Sequence, residues 1–325
     1  MISRRLALSL LLLSGGAVAL GGCAALVDAR ASQREAAAEA QYPPVGRLVE
    51  IDGLQVHAHV EGSGPDLVLI HGANGNLRDF TFALTERLAR DYRVIAFDRP
   101  GLGWSDPLPE GNTSPMAQAD HLRAAALELG VRRPIVLGHS YGGAVALAWG
   151  LRAPGDTAAL VILAGASHPW EGPLSFTQTF PGTRLGAAAV VPFVTALATA
   201  DTVENVLEGV FHPDPVPEGY AEHIGAGLAL RRDQIVRNAR QVSNLKPHVA
   251  LMAPHYPELP MPIEIVHGTA DRTVGIAIHA ERLEADAPHA TLTRLEGIGH
   301  MPQHAAPEAV IEAIDRAATR AGQRR

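Results

Sequence analysis

Cysteine is nearly missing: one residue, Cys23, in 325. An internal disulfide and a cysteine-rich metal site are thereby excluded. There is no basic run, and 27 Lys and Arg stand against 34 Asp and Glu, a net charge of −7. Nothing there could neutralise a phosphate backbone, so no nucleic acid is expected as a partner. The chain has 15 histidines, but no His-Glu-x-x-His or comparable ligand spacing, and no metal is expected. Internal repeats and low-complexity arrays are also absent. What is present is a hydrophobic share of 47%, enough for a packed core. The length suits one large α/β domain or two small ones.

No charge appears between Arg5 and Asp28. Arg4 and Arg5 make a basic start, Leu6 to Leu20 an apolar run, and Leu20-Gly21-Gly22-Cys23 follows. This order matches a secretory signal peptide. Its last four residues resemble the lipobox of bacterial lipoproteins. That resemblance implies cleavage before Cys23 and a diacylglycerol on its thiol. The chain would be exported and lipid-anchored to a bacterial membrane, on the periplasmic or cell-surface side. Residues 1–22 are then the signal peptide and residues 23–44 a tether. The Ala/Glu/Gln-rich stretch up to Pro43-Pro44 is expected to be partly helical and to stand the domain off the membrane. An uncleaved transmembrane anchor is the alternative, because the run is just long enough to span a bilayer.

Beyond the tether, short apolar β-branched runs alternate with helix-like stretches. Leu67–Ile70, Val94–Phe97, Ile135–Leu137, Leu160–Leu163 and Ile263–Val266 fit strands covered on both faces. Helices are expected over Asp79–Arg90, Pro115–Leu129, Gly142–Arg152, Ile276–Ala285 and Pro307–Ala321. Leu48–Ile51 and Leu54–Val60 flank Asp52-Gly53, a hairpin signal. The alternation predicts a parallel sheet with right-handed crossovers. It breaks between residues 167 and 260, where apolar helical stretches, Pro-rich joints and a polar helical run replace it. That segment reads as a cap inserted between two halves of one core, residues 45–166 and 261–325.

Gly138-His139-Ser140-Tyr141-Gly142 is G-x-S-x-G between a strand and a helix, the setting of a nucleophile elbow. Ser140 would stand exposed above the sheet edge, at a helix N-terminus that favours negative charge. Here the sequence resembles the α/β-hydrolase family, whose motifs appear in the family's order. The resemblance implies an α/β-hydrolase fold: a mostly parallel eight-stranded sheet flanked by helices, with a helical cap after the sixth strand. Asp271, in His267-Gly268-Thr269-Ala270-Asp271, stands at the family's acid position. His300, in Gly297-Ile298-Gly299-His300, stands at the base position. By the same resemblance the backbone N–H groups of Ala73, after His71-Gly72, and of Tyr141 form the oxyanion hole.

The loop Asp98-Arg99-Pro100-Gly101-Leu102-Gly103-Trp104-Ser105 matches a supporting loop of the family, with Trp104 as a pocket wall. His168 sits at the expected mouth of the cap and is a candidate substrate contact. His304 is expected on the opening turn of a helix, facing solvent. Phe176, Phe180, Leu185, Val190, Val191, Phe193 and Phe211 of the cap would line an apolar pocket or form the cap's own core.

The function these features predict is a serine hydrolase of carboxylic esters, working through an acyl-enzyme and needing no cofactor. Its partner would be a small, apolar acyl substrate. On the same fold, a perhydrolase would need a small acyl pocket near Ala73 and Trp104. A hydrolase of C–C bonds would need a cap cation, for which Arg184, Arg231 and Arg232 are placed. A lipid-anchored binding protein on an inactive hydrolase scaffold is the reading from another class.

Overall fold

The computed structural model describes residues 4–109 and 111–324, with side-chain environments from residue 22 onward. Most of the expected signal peptide therefore lies outside the described side chains. Eight strands form one sheet in the order β1-β2-β4-β3-β5-β6-β7-β8. They are β1 (Arg47–Ile51), β2 (Leu54–Gly62), β3 (Asp66–Ile70), β4 (Arg93–Phe97), β5 (Ile135–His139), β6 (Ala159–Leu163), β7 (Ile263–Gly268) and β8 (Ala290–Leu295). β1 and β2 are an antiparallel hairpin, and β3 to β8 run parallel. Asp52 and Gly53 both take positive φ at the hairpin turn, the twist that matches the strands.

The chain starts the parallel part at β3, steps to β4 on one side, then returns to β5 on the other. The carboxyl ends of β3 and β5 thus meet at a switch in strand order, where open α/β sheets place their crevice. Alternate residues of these strands go to opposite faces. Val68 and Ile70 join a core with α2 (Pro115–Glu128) and α3 (Tyr141–Arg152). Leu67 and Leu69 join a second core beneath the C-terminal helix (Pro307–Arg320). Ser114 caps α2 by accepting from Ala117 N–H at 3.1 Å, with Pro115 next.

Between β6 and β7 the chain is helical. The apolar stretch over Leu185–Ala200 folds as two helices that meet at Val190. Pro192 has no N–H to continue a helix and instead opens a new one, α4 (Val191–Leu197). The polar run extends into a 21-residue helix, α5 (Arg232–Met252). Two other expected helices are also altered: Asp79–Arg90 divides into Arg78–Thr81 and Leu84–Leu88, and Ile276–Ala285 gives way to Ala280–Asp286. Phe176, Leu185, Val190 and Phe193 face solvent, whereas Val191 and Phe211 are buried. The cap aromatics therefore do not act as one pocket or one core.

The tether is the larger correction. The N-terminal helix spans Arg4–Gln41 and ends before Pro43, and its C-terminal half docks on the cap instead of standing clear. Ala31 and Ala38 are buried, and small side chains let the helix approach closely. Arg30 Nε and Arg34 Nη1 donate to the Ala196 carbonyl at 2.8 and 3.2 Å. Glu35 and Asp28 pair with Arg232, and Glu39 pairs with Arg231. An acidic helix face meeting two cap arginines could not be foreseen from the composition of either segment.

Candidate active site

Ser140 follows β5 at once and precedes α3, with φ 54° and ψ −118°. An L residue seldom holds such a backbone unless its surroundings over-determine it. The surroundings here leave no slack. A Cβ on Gly138 would lie 2.1 Å from the Gly142 carbonyl oxygen, and one on Gly142 would lie 2.2 Å from that of Ile70. Ser140 N–H donates to Leu163 O at 2.9 Å, which ties the turn to β6.

His300 leaves the loop after β8 and meets Ser140. Its Nε2 lies 2.9 Å from Ser140 Oγ, and its Nδ1 lies 2.7 Å from Asp271 Oδ2. Asp271, after β7, is fixed in turn: Oδ1 accepts from Thr273 and Val274 N–H at 2.8 and 2.9 Å. Burial pushes the Asp271 carboxyl up, but hydrogen bonds from His267 and His300 outweigh it and hold the group well below the usual carboxylate range. The acid stays ionised and faces the imidazole. His139 lies against His300, its Nε2–H donating to the His300 carbonyl at 2.9 Å. Burial and the neighbouring His300 bring His139 down to about 4, so it is neutral at pH 7.

The loop after β3 packs directly on the elbow, since a Cβ on Gly72 would lie 3.0 Å from Ser140 Cβ. Ala73 follows Gly72 in that loop, and Tyr141 follows Ser140 in the elbow. His71 accepts from Arg99 N–H at 2.9 Å. Burial, then the Arg99 charge, lowers its pKa to about 4, and it serves as a neutral brace. Asp98 accepts from Leu77 and Trp104 N–H, each at 2.7 Å, and holds the two loops together.

The structure moves three of the remaining candidates. Trp104 lines a half-open cavity of about 1250 Å³ between the N-terminal helix, the loop after β4 and α5, which neither Ser140 nor His300 lines. Its indole N–H donates to Tyr42 O at 3.0 Å, and Arg231 stacks on its ring. His168 is fully buried, with Nε2 at 2.9 Å from Asp286 and Nδ1 at 2.9 Å from Ser167 Oγ. Both nitrogens are committed below the cap, so His168 has no ring atom left for a substrate.

His304 turns inward instead of facing solvent. Its Nε2 lies 2.7 Å from Asp79 Oδ1, which also accepts from Tyr220 OH at 2.8 Å, while Oδ2 accepts from Gln303 at 3.1 Å. This buried cluster joins the cap, through Tyr220, to the loop that carries His300. Burial raises the Asp79 pKa, but His304 and the other partners more than reverse it and hold the carboxyl well below its ordinary value. A carboxylate so lowered contributes stability above its unfolded pKa of about 4 and loses it as the pH falls toward the folded value. Asp79→Asn is expected to cost about 3 kcal/mol in urea unfolding at pH 7. The gap from wild type should narrow below about pH 4. An unchanged gap at low pH would mean that the charge is immaterial.

Three amides on one face of α5 were also missed, because a polar helical run reads as solvated. Gln234, Asn238 and Gln241 are buried. Asn238 Oδ1 accepts from Asn74 N–H at 2.7 Å, Gln234 Nε2 donates to Gly103 O at 2.9 Å, and Gln241 Nε2 donates to Pro100 O at 2.8 Å. Their spacing of four and three residues was the available signal.

A serine on a strained elbow, an imidazole hydrogen-bonded to it and a buried carboxylate behind can perform nucleophilic acyl transfer. Comparison with known proteins agrees with the fold. The model of the Alpha/beta hydrolase family matches residues 67–313. An uncharacterized protein of Mycobacterium tuberculosis is 26% identical over 291 residues, 84% of this chain and 81% of that protein. The crystal structure of a membrane phospholipase A, described as a bacterial virulence factor, has a TM-score of 0.66 and 23% identity, covering 97% of this chain and 99% of its own. An esterase from Rhodococcus sp. ECU1013 has a TM-score of 0.65 and 23% identity, covering 85% of this chain and 99% of its own. By the family match and by its eight-stranded sheet, this chain belongs to the α/β-hydrolase family.

Proposed function

We propose that the protein is a serine hydrolase of carboxylic esters. The observation that carries this reading is the line Ser140 Oγ–His300–Asp271, with links of 2.9 and 2.7 Å. Ser140 Oγ attacks the ester carbonyl while His300 Nε2 takes its proton. Asp271 fixes the His300 tautomer and stabilises the imidazolium. The carbonyl electron pair moves onto oxygen, where the N–H groups of Ala73 and Tyr141 receive it. Collapse expels the alcohol, protonated by His300, and water attacks the acyl-enzyme with His300 again as base.

Fluorophosphonate labelling of the full chain tests this directly. The adduct should map to Ser140, and nitrophenyl esters of graded acyl length should turn over. A protein that is neither labelled nor active on any ester would sink the reading.

The rival activities are less well supplied. Arg231 and Arg232 are engaged by acids of the N-terminal helix, and Arg184 is exposed, so none is free inside the cap for C–C hydrolysis. Trp104 lines a cavity that none of Ala73, Ser140 and His300 lines, whereas a perhydrolase would need it beside them.

We further infer that the protein is exported and membrane-bound through a lipid on Cys23, which is exposed. Among the residues whose side chains are described no single helix is long and apolar enough to cross a membrane, and Leu6–Leu20 lies before those. Exposed Leu26, Leu185, Phe193 and Leu197 give the docked helix and cap an apolar outer surface that suits a bilayer. In a bacterial host, Cys23→Ala is expected to abolish metabolic incorporation of a fatty-acid analogue and to shift the precursor's mobility. Labelling that persists in this variant would exclude lipidation there.

A further inference from the structure

Arg99 is a buried cation with an unusual set of partners. Its side chain is fully enclosed, yet among the described residues it makes no ion pair. Its chain neighbour Asp98 is taken up by His57 and by two backbone N–H groups. Arg99 Nη1 donates instead to the side-chain oxygens of Gln118 and Gln241, at 3.0 and 2.8 Å. Nη2 donates to the Gly72 carbonyl at 3.1 Å. The guanidinium lies over the Tyr141 ring, 4.1 Å from its centroid, and Nε is buried without a partner. Burying a charge beside neutral acceptors only is costly, and a tie between cap and core could be made more cheaply with neutral amides.

The partners explain the cost. The Gly72 carbonyl and the Ala73 N–H belong to one peptide group. The ring under the guanidinium belongs to Tyr141, whose N–H is the second donor. We propose that Arg99 is a positioning residue for the oxyanion hole, polarising the Gly72–Ala73 peptide from behind and seating Tyr141. This inference rests on the ester-hydrolase reading above.

A charged donor on the carbonyl side of a peptide withdraws electron density and strengthens its N–H as a donor, as cooperative hydrogen-bond chains do. The unneutralised charge also favours the tetrahedral oxyanion more than the neutral ester, so the effect falls on the transition state. Burial draws the guanidinium down only to about 10, so the charge persists at neutral pH. Gln241 lies on α5, and the cap therefore touches the oxyanion hole through Arg99.

Gln241→Glu is the discriminating variant. It places a nearly isosteric carboxylate on the guanidinium, supplying the counter-ion that the native site lacks. A purely structural Arg99 would be held more firmly by it. The expected result is the reverse: kcat on a nitrophenyl ester falls about tenfold or more, with KM little changed. Affinity for a matched trifluoromethyl ketone, which binds as an oxyanion, should fall by the same factor. Gln241→Ala should lose less than Gln241→Glu. Arg99→Lys should retain part of the rate, and Arg99→Met should be the slowest.

Equal kcat in Gln241→Glu and Gln241→Ala would overturn the proposal. So would a loss of kcat without a parallel loss of ketone affinity, or equal rates in Arg99→Lys and Arg99→Met. These results leave the ester-hydrolase reading standing, because wild type is then active. A wild type inactive on every ester takes both down.

Discussion

Ser140→Ala is expected to lower turnover of nitrophenyl esters by about six orders of magnitude, since removing the nucleophile of such a set costs nearly as much as removing the whole set. The residual rate should come from substrate binding and the oxyanion donors alone. The fold should survive. Ala can occupy the same backbone with the same strain, the glycines around it are unchanged, and the backbone N–H at position 140 still reaches Leu163 O. Thermal unfolding within a few degrees of wild type, together with loss of fluorophosphonate labelling, would place the effect on chemistry. Appreciable turnover in this variant would show that another group attacks the ester.

Asp271→Asn should be slower than wild type by about four orders of magnitude, again with the fold intact. The amide oxygen can still accept from Thr273 and Val274 N–H, which preserves the turn. The damage is confined to the other side of the group. Oδ2 now accepts from His300 Nδ1 at 2.7 Å. An amide nitrogen placed there would donate, forcing the proton onto Nε2, where it meets the Ser140 hydroxyl and can no longer receive its hydrogen. The loss should appear in the acylation rate measured in a single-turnover burst. A variant within tenfold of wild type would mean that His300 is oriented by something other than Asp271.

The strands of the core were legible because each is a short apolar run bounded by turn residues, and burial on both faces imposes that pattern. The elbow was legible because two glycines are required where a Cβ would strike a backbone oxygen at little more than 2 Å. The positions of Asp271 and His300 came from the resemblance to the α/β-hydrolase family, whose acid and base stand on the loops after successive strands. Contacts between distant segments had no such signature. His304 is four residues from His300, but its partner Asp79 is 225 residues away, and nothing local marks the pairing. His168 looked free because the burial of Ser167 and Tyr256 around it is set by the insertion's path. The amides of α5 looked solvated because polarity usually means water. Here the loops they meet present bare backbone groups, so the buried face of the helix had to be polar to satisfy them.

The docking of the N-terminal helix has a mechanical consequence. A force applied at Cys23 would run through the Arg30 and Arg34 contacts to Ala196 and through the Glu35–Arg232 pair before it reached the sheet. The cap bears the load first. The eight-stranded core follows behind it, joined through α5 and through residues 42–46, which lead from the helix into β1. Moored in this way, the molecule would hang from its lid, with tension on the mooring drawn along the path that leads to the site.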